Sequence, residues 1–522
     1  MKRIVIVLLS ALFVAPTLFA GGIVTNTNQS AAWARYFSRY ASTEIDAVYF
    51  NPAGLGQLSN GFHFSINNQS IWQTQTIGNN FPMLQQSEYV GDVKAPLFPS
   101  IYGAFKTGKW TFSVGFNPIG GGGGAKFDNG VPSFEFLSGV QLVGALNDLF
   151  PPTTAYSVDL FFEGTSVYYG IQAGVTYDIL DNLSVAVGGR YVIANDVYKG
   201  SLQNLSANPT MDPINPDGDM ISAYTFFTSL ANMATQVATA ANGYYQVVEP
   251  LPPADPLTDP ATIAFLTSLG VYSPGMNNGT AAAFLNAIEL DATGQAQQAT
   301  VNSTLVDDQE VDMKKTGSGF APLVSVHFSP VSFLDIALKY EFKTKLQLTY
   351  ETTKDFLMGY EPDGTPITMF PDGTVENADI PALLSGGVNV RPLPGLQVSG
   401  GFEYYFDKNV NWDGWEEYIE ANSYSINFSA QYTFGRFLIS GSYGLDKRSV
   451  MEDYQDDLDY SLSSSSWSFG GAWDIMENVR LNAGYVMVNY DNQSIDNFYV
   501  DGDTQTFKKD TKLFAVGVDF SF

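Results

Sequence analysis

Residues 424–445, Tyr-Ser-Ile-Asn-Phe-Ser-Ala-Gln-Tyr-Thr-Phe-Gly-Arg-Phe-Leu-Ile-Ser-Gly-Ser-Tyr-Gly-Leu, decide the fold. Tyr424, Ile426, Phe428, Ala430, Tyr432 and Phe434 alternate with Ser425, Asn427, Ser429, Gln431 and Thr433. After Gly435-Arg436 the alternation resumes, with Phe437, Ile439, Gly441, Tyr443 and Leu445 on one face. A period of two with one apolar face is a strand, and the two-residue break makes the pair a hairpin. A soluble sandwich alternates in the same way, so the choice between them rests on how far the pattern extends.

Outward from this hairpin the pattern repeats over most of the chain. Strands are expected near 61–76, 98–107, 109–118, 164–178, 183–200, 317–330, 332–353, 380–391, 395–407, 423–434, 436–447, 464–475, 478–490 and 509–522. Tight turns fall at Thr107-Gly108, Asp181-Asn182, Pro330-Val331, Pro392-Leu393-Pro394, Gly435-Arg436 and Glu477-Asn478, while the connections between hairpins vary and are mostly longer. Short turns on one side and long loops on the other mark an outer-membrane barrel. Trp72, Trp110, Tyr191, Tyr350, Tyr404, Phe434 and Trp473 lie toward strand ends on the apolar face, where interfacial girdles form. The strands number about fourteen, and single-chain bacterial barrels require an even number. The expected fold is all-β: a transmembrane antiparallel β-barrel over residues 61–522.

Composition agrees. Only 15% of the 522 residues are charged, 14% are aromatic and 49 are glycine, against roughly 25% charged in soluble proteins. Beyond the N-terminus there is no apolar run of the ~20 residues that a spanning helix needs. A net charge of -28 excludes nucleic acid as a partner, because that affinity depends on neutralising phosphates with Lys and Arg. The absence of cysteine excludes disulfides, Cys-based zinc sites and a lipidated N-terminal cysteine. The two histidines, His63 and His327, lie far apart with no G-x-S-x-G beside either, so neither catalysis nor a metal site is expected. No nucleotide motif appears, and no cofactor is expected.

Residues 1–20 read as a secretory signal peptide. Lys2 and Arg3 precede an apolar core from Ile4 to Val14, and Leu18-Phe19-Ala20 is a cleavage site before Gly21. In the next segment Trp33, Phe37 and Tyr40 fall on one side of a short helix. The segment ends in Asp46-Ala47-Val48-Tyr49-Phe50-Asn51-Pro52-Ala53-Gly54-Leu55, where Pro52 stops regular structure. From the residues alone this is either a plug or an N-terminal arm packed on the barrel.

This motif, just ahead of the first strand, resembles the FadL-type outer-membrane transporters of long-chain fatty acids and other hydrophobic compounds. The resemblance implies an N-terminal hatch over 21–60, with Asp46, Asn51, Pro52 and Ala53 at its gate. It also gives a meaning to Asn117-Pro118-Ile119 and the five glycines that follow. Five glycines cannot hold a regular strand by themselves, and a flexible loop is one reading. The family implies another, a kinked third strand that opens the wall toward lipid, through Asn117, Pro118, Gly120, Gly121, Gly122, Gly123 and Gly124.

Two apolar helices are expected in the outer connections. One covers 132–150, with Ser133 as cap and Phe134, Leu137, Val140 and Leu146 apolar; the other covers 221–242, with Phe226, Phe227, Leu230 and Met233 at helical spacing. They either bury one another as a lid or, as the family implies, form a groove that captures the substrate. The extracellular connection 201–316 is too long to lack structure, and Thr258 and Thr280 are its expected further caps. Asp-Gly turns at 216–219, 362–365 and 371–374 lack the spacing of calcium loops. Strand parity points Arg190, Lys339, Lys343 and Arg391 into the lumen. There they balance carboxylates such as Glu341 and Glu403, or, for Arg190 and Lys339, contact a ligand carboxylate.

A terminal strand ending in Phe522 resembles the signal read by the outer-membrane assembly machinery. The expected role is passive transport of long-chain fatty acids or other hydrophobic molecules, with lateral release into outer-membrane lipid of a Gram-negative-type bacterium. A general porin and a non-transporting scaffold for secretion or surface attachment are the rival readings.

Overall fold

The computed structural model describes residues 30–496 and 499–522. The expected signal peptide and the first hatch residues, 21–29, lie outside them. Fourteen strands close into an antiparallel barrel. They are β1 (Gly61–Asn79), β2 (Glu88–Thr107), β3 (Trp110–Phe127), β4 (Tyr156–Leu180), β5 (Leu183–Ala207) and β6 (Gln309–Val331). Strand β7 runs Leu334–Glu341 and continues as Gln347–Lys354, and β8 joins Val375–Asn377 to Leu383–Leu393. Then follow β9 (Leu396–Tyr405), β10 (Ile419–Phe434), β11 (Phe437–Val450), β12 (Ser464–Met476), β13 (Val479–Tyr490) and β14 (Thr504–Ser521). Closure is by β1 on β14, in register from His63 opposite Ser521 to Asn79 opposite Gln505. Closing the sheet leaves no edge, the only way a sheet can satisfy its backbone in lipid.

The alternation is turned inside out relative to a soluble protein. Phe428 is 60% exposed and Ile439 58%, whereas Ser425, Asn427 and Ser429 are buried. Apolar side chains face outward because the surrounding solvent is hydrocarbon, and the lumen takes the polar ones. Trp72, Trp110, Tyr191, Tyr404, Phe434 and Trp473 are all exposed outward. Tyr350 departs from the expected girdle. It is buried and turns inward, where its hydroxyl donates to Glu376 at 2.5 Å.

The short turns gather at one end and the long connections at the other. Toward the long-loop end several strands outrun their expected spans; β4 and β5 reach Tyr156 and Ala207. The glycine run does not break into a loop. β3 continues through it, because Gly120, Gly123 and Gly124 pair with Tyr168, Ser166 and Thr165 of β4. The partner strand β4 holds it in place.

Both expected outer helices are present. The first, α3, runs Pro132–Glu135, a π turn Phe136–Val140, and Gln141–Leu149; the second, α4, spans Ala223–Val248. Ser133 is not the cap of α3: it lies inside the first turn, behind Val131, and its backbone amide donates to Asp457 at 2.6 Å. The connection continues as α5 (Pro260–Ser268) and α6 (Asn278–Leu305). Their caps are Asp259, next to the expected Thr258, and Asn277, three residues before the expected Thr280; each side chain accepts an amide hydrogen bond, from Thr262 and Thr280 respectively. Carboxylate and amide oxygens are strong cap acceptors.

Candidate functional site

The hatch consists of α1 (Ala31–Arg35), α2 (Ala47–Phe50) and a 3-10 turn Pro52–Gln57, sitting inside the short-turn end. The helix expected from Trp33, Phe37 and Tyr40 is only five residues long. Asp46 is buried at its centre and receives Arg39 Nε at 2.7 Å, Arg39 Nη2 at 2.6 Å, Ser30 Oγ at 2.8 Å and Ser42 Oγ at 2.9 Å. A buried carboxylate persists when it is paired and hydrogen-bonded in this way. Asn51 accepts from the Ala53 amide at 3.2 Å and donates to the Val326 carbonyl at 3.2 Å.

The backbone of the motif is held by wall hydroxyls. Thr176 Oγ1 donates to the Pro52 carbonyl at 2.7 Å, Ser184 Oγ to the Ala53 carbonyl at 2.6 Å, and the Ala53 amide donates to Ser325 Oγ at 3.1 Å. Proline earns its place here because it forces the turn and needs no donor partner. On the opposite wall, Arg35 donates to Asn482 at 3.0 Å and Gln431 at 2.8 Å, and the Ser38 amide to Ser429 at 3.0 Å. Gly484 lets the wall meet α1 closely: a Cβ there would lie 2.5 Å from the Ala34 carbonyl carbon and the Arg35 nitrogen.

Arg190 and Lys339 are buried beneath Tyr49, whose ring lies 4.9 and 5.2 Å from their charges. Arg190 pairs with Glu341 and donates to Gln172 at 2.7 Å. Lys339 donates to the Tyr49 carbonyl at 3.1 Å and lies 3.4 Å from Glu341. The charge balance with Glu341 is present, and both cations lie against Tyr49 of the hatch.

Above the hatch lies a lumen cavity with a volume of about 250 Å³. Trp33, Phe37 and Tyr40 line its floor, and Val93, Ala95, Phe98 and Gly121 line it on the wall between β2 and β3. There the ladder between these strands is interrupted: Val93 pairs with Ala125, and pairing resumes only at Ile101 with Phe116. The interruption coincides with the stretch from Asn117 to Gly124. Gly121 takes a φ of +91°, which an L side chain would resist.

A second, small pocket lies among the outer helices, with a volume of about 40 Å³. Phe134 and Leu137 line it with Leu160, Leu305, Phe356 and Met358. Val140, Leu146, Phe226, Phe227 and Leu230 are buried in the adjoining core, and Met233 packs against it. So α3 lines the pocket with Phe134, Leu137, Ser138 and Leu142, whereas Phe226, Phe227 and Leu230 of α4 are buried in the core and outside the pocket lining. The cavity wall residues Val93, Ala95 and Phe98 escaped the sequence reading. So did the cations Arg448 and Lys509, which also line the lumen cavity. The only signal for the wall was the pair of prolines, Pro96 and Pro99, inside a strand.

The loop 451–463 stands between these regions. Burial, then the neighbouring Asp457 and Asp459, pushes the Asp456 carboxyl up to about 8. Burial also raises Asp457 to about 6, opposed by the Ser133 amide, and Asp459 to about 6, opposed by Lys509 and Lys315. Raised folded-state values favour the packed loop when the acids are protonated. That contribution is complete below the ordinary carboxylate value of ~3.9 and is lost as pH rises through about 6 and then about 8. Amide exchange in 451–463, corrected for its intrinsic pH dependence, is expected to be slower near pH ~5 than near pH ~9. Equal or reversed protection would contradict this.

No family model matches the chain, and no curated protein matches its sequence. Solved structures do match. A FadL homologue of Pseudomonas aeruginosa is 10% identical over 96% of this chain and 100% of its own, with a TM-score of 0.56. The toluene transporter TodX of Pseudomonas putida is 11% identical over 96% and 100%, with a TM-score of 0.52. At these identities the likeness is one of fold, and it extends over nearly the whole of both chains.

Proposed function

We propose that this barrel carries hydrophobic molecules across an outer membrane by passive diffusion, with the hatch as its gate. The observation that carries the reading is the lumen cavity reaching the interrupted β2–β3 ladder. A molecule in that cavity has an apolar floor at Trp33 and Phe37 and lies beside the interrupted stretch of wall. It can leave sideways without crossing water, which is favourable for an apolar solute. The outer pocket is apolar in its lining apart from Ser138 and Gln309, which is the chemistry of a first capture site; at about 40 Å³ it must widen to admit cargo. Asn51, Pro52 and Ala53 act as the point where the hatch yields, and Asn117 to Gly124 as the window. The names of the similar structures agree with a hydrophobic cargo.

Cells lacking their own transporter, given this protein, are expected to gain uptake of labelled palmitate or toluene. Whichever of the two enters faster identifies the cargo class. If a correctly assembled barrel admits neither, transport of hydrophobic molecules is excluded, and the scaffold reading takes its place.

A further inference from the structure

One loop links a helix that lines the outer pocket to the wall of the lumen cavity. Phe134 lines the outer pocket, and the amide of the preceding residue, Ser133, donates to the Asp457 carboxylate at 2.6 Å. Three residues beyond Asp457, Tyr460 lines the lumen cavity, followed by Ser461 and Leu462. So one loop touches the helix of the first chamber and forms part of the second.

Its attachments are unequal. On the β13–β14 side, Gln455 donates to Gln493 at 2.6 Å, the Tyr460 ring stacks on Phe507 at 4.9 Å, and the Tyr460 hydroxyl donates to the Lys508 carbonyl at 3.3 Å. On the α3 side, Asp457 supplies the first-turn hydrogen bond that no side chain of α3 supplies for itself. The helix is fixed independently. Its Glu135 is buried and accepts from the Gln85 amide at 2.5 Å, from Tyr156 at 2.6 Å and from Tyr89. The Asp457 bond is the loop's polar tie to α3, and its loss leaves the helix in place; Leu458, Tyr460 and Leu462 also pack with the apolar core around Phe134.

We infer that loop 451–463 is an internal door between the capture pocket and the lumen cavity, hinged on β14 and the connection before it and latched to α3 by the Asp457 carboxylate on the Ser133 amide. The inference rests on the transport reading above and assigns its rate-controlling passage to this loop. Asp457 is a positioning residue that need not touch the cargo.

The chain has no cysteine, so Ser133→Cys with Asp457→Cys creates a single engineered pair. The Ser133 amide and the Asp457 carboxylate are in contact, and closure of the engineered pair is verified by peptide mapping under non-reducing conditions before rates are compared. In proteoliposomes, entry of radiolabelled palmitate and of toluene is expected to fall about tenfold or more on oxidation, as for a closed lid, and to recover on reduction. Asp457→Ala, which removes the latch, is expected to raise the initial rate roughly fivefold, the worth of a typical cap bond. Asp457→Asn keeps an acceptor and stays near the native rate. Heat-modifiable migration checks that each barrel is folded. Equal rates for the oxidised and reduced pair, or for Asp457→Ala and the native chain, would overturn the door. Failure of the unaltered barrel to carry either probe overturns the transport reading itself, and needs no variant to be seen.

Discussion

Replacing Ala95 by Trp is expected to reduce entry of a hydrophobic probe by about tenfold or more while leaving the barrel folded. Ala95 faces the lumen cavity beside Val93, Phe98 and Gly121, where the β2–β3 ladder is interrupted. An indole there occupies the side exit, and a passing molecule must push it aside. Displacing a side chain against close-packed surroundings costs ~1–3 kcal/mol, and each 1.4 kcal/mol is a factor of ten in rate or population. Val114→Trp is the control. Val114 is 54% exposed on the outer face of β3 and pairs normally with Gly103, so its enlargement meets lipid. Initial rates in proteoliposomes, at matched amounts of folded barrel, decide the matter. If Ala95→Trp transports as fast as Val114→Trp, cargo does not leave through this part of the wall.

Why this site was only half legible in the sequence follows from the range of the interactions that make it. Period-two alternation is a local property, and within the membrane each strand writes it clearly, as Tyr424 to Phe434 does. Beyond the membrane the two faces are no longer sorted by lipid and water. There the ends of β4 and β5 lost their pattern and fell outside the expected spans. The glycines at 120–124 favour a loop locally, yet β4 holds them as strand; tertiary pairing overrides propensity. Caps were misplaced by one to three residues because Asp and Thr, or Asn and Thr, stand close together at each helix start. Parity correctly turned Arg190 and Lys339 inward but could not see Tyr49 of the hatch above them. The Asp457–Ser133 contact joins residues 324 positions apart, and no periodicity announces such a meeting.

The hatch offers the other large effect. Gly484→Val is expected to turn a plugged barrel into an ion-conducting one. A Cβ at this position would lie 2.5 Å from the Ala34 carbonyl carbon and the Arg35 nitrogen, both backbone atoms that no rotamer change can remove. Either β13 moves or α1 does. β13 is held along its length by β12 and β14, whereas α1 is one short helix of five residues. As α1 withdraws, Arg35 loses its hydrogen bonds to Asn482 and Gln431. Overpacking costs ~1–3 kcal/mol and each hydrogen bond from a charged group ~1.5–3 kcal/mol. Together these shift the closed-to-open ratio by about a hundredfold or more. Planar-bilayer recordings of Gly484→Val should show stepwise conductance that the native barrel lacks. Gly441→Ala, where the nearest atom to the new Cβ is 3.5 Å away, should stay silent. A silent Gly484→Val barrel would mean that α1 is not the seal. The motif from Asn51 to Ala53, pinned to Thr176, Ser184 and Ser325 on the far wall, would then have to close the lumen alone.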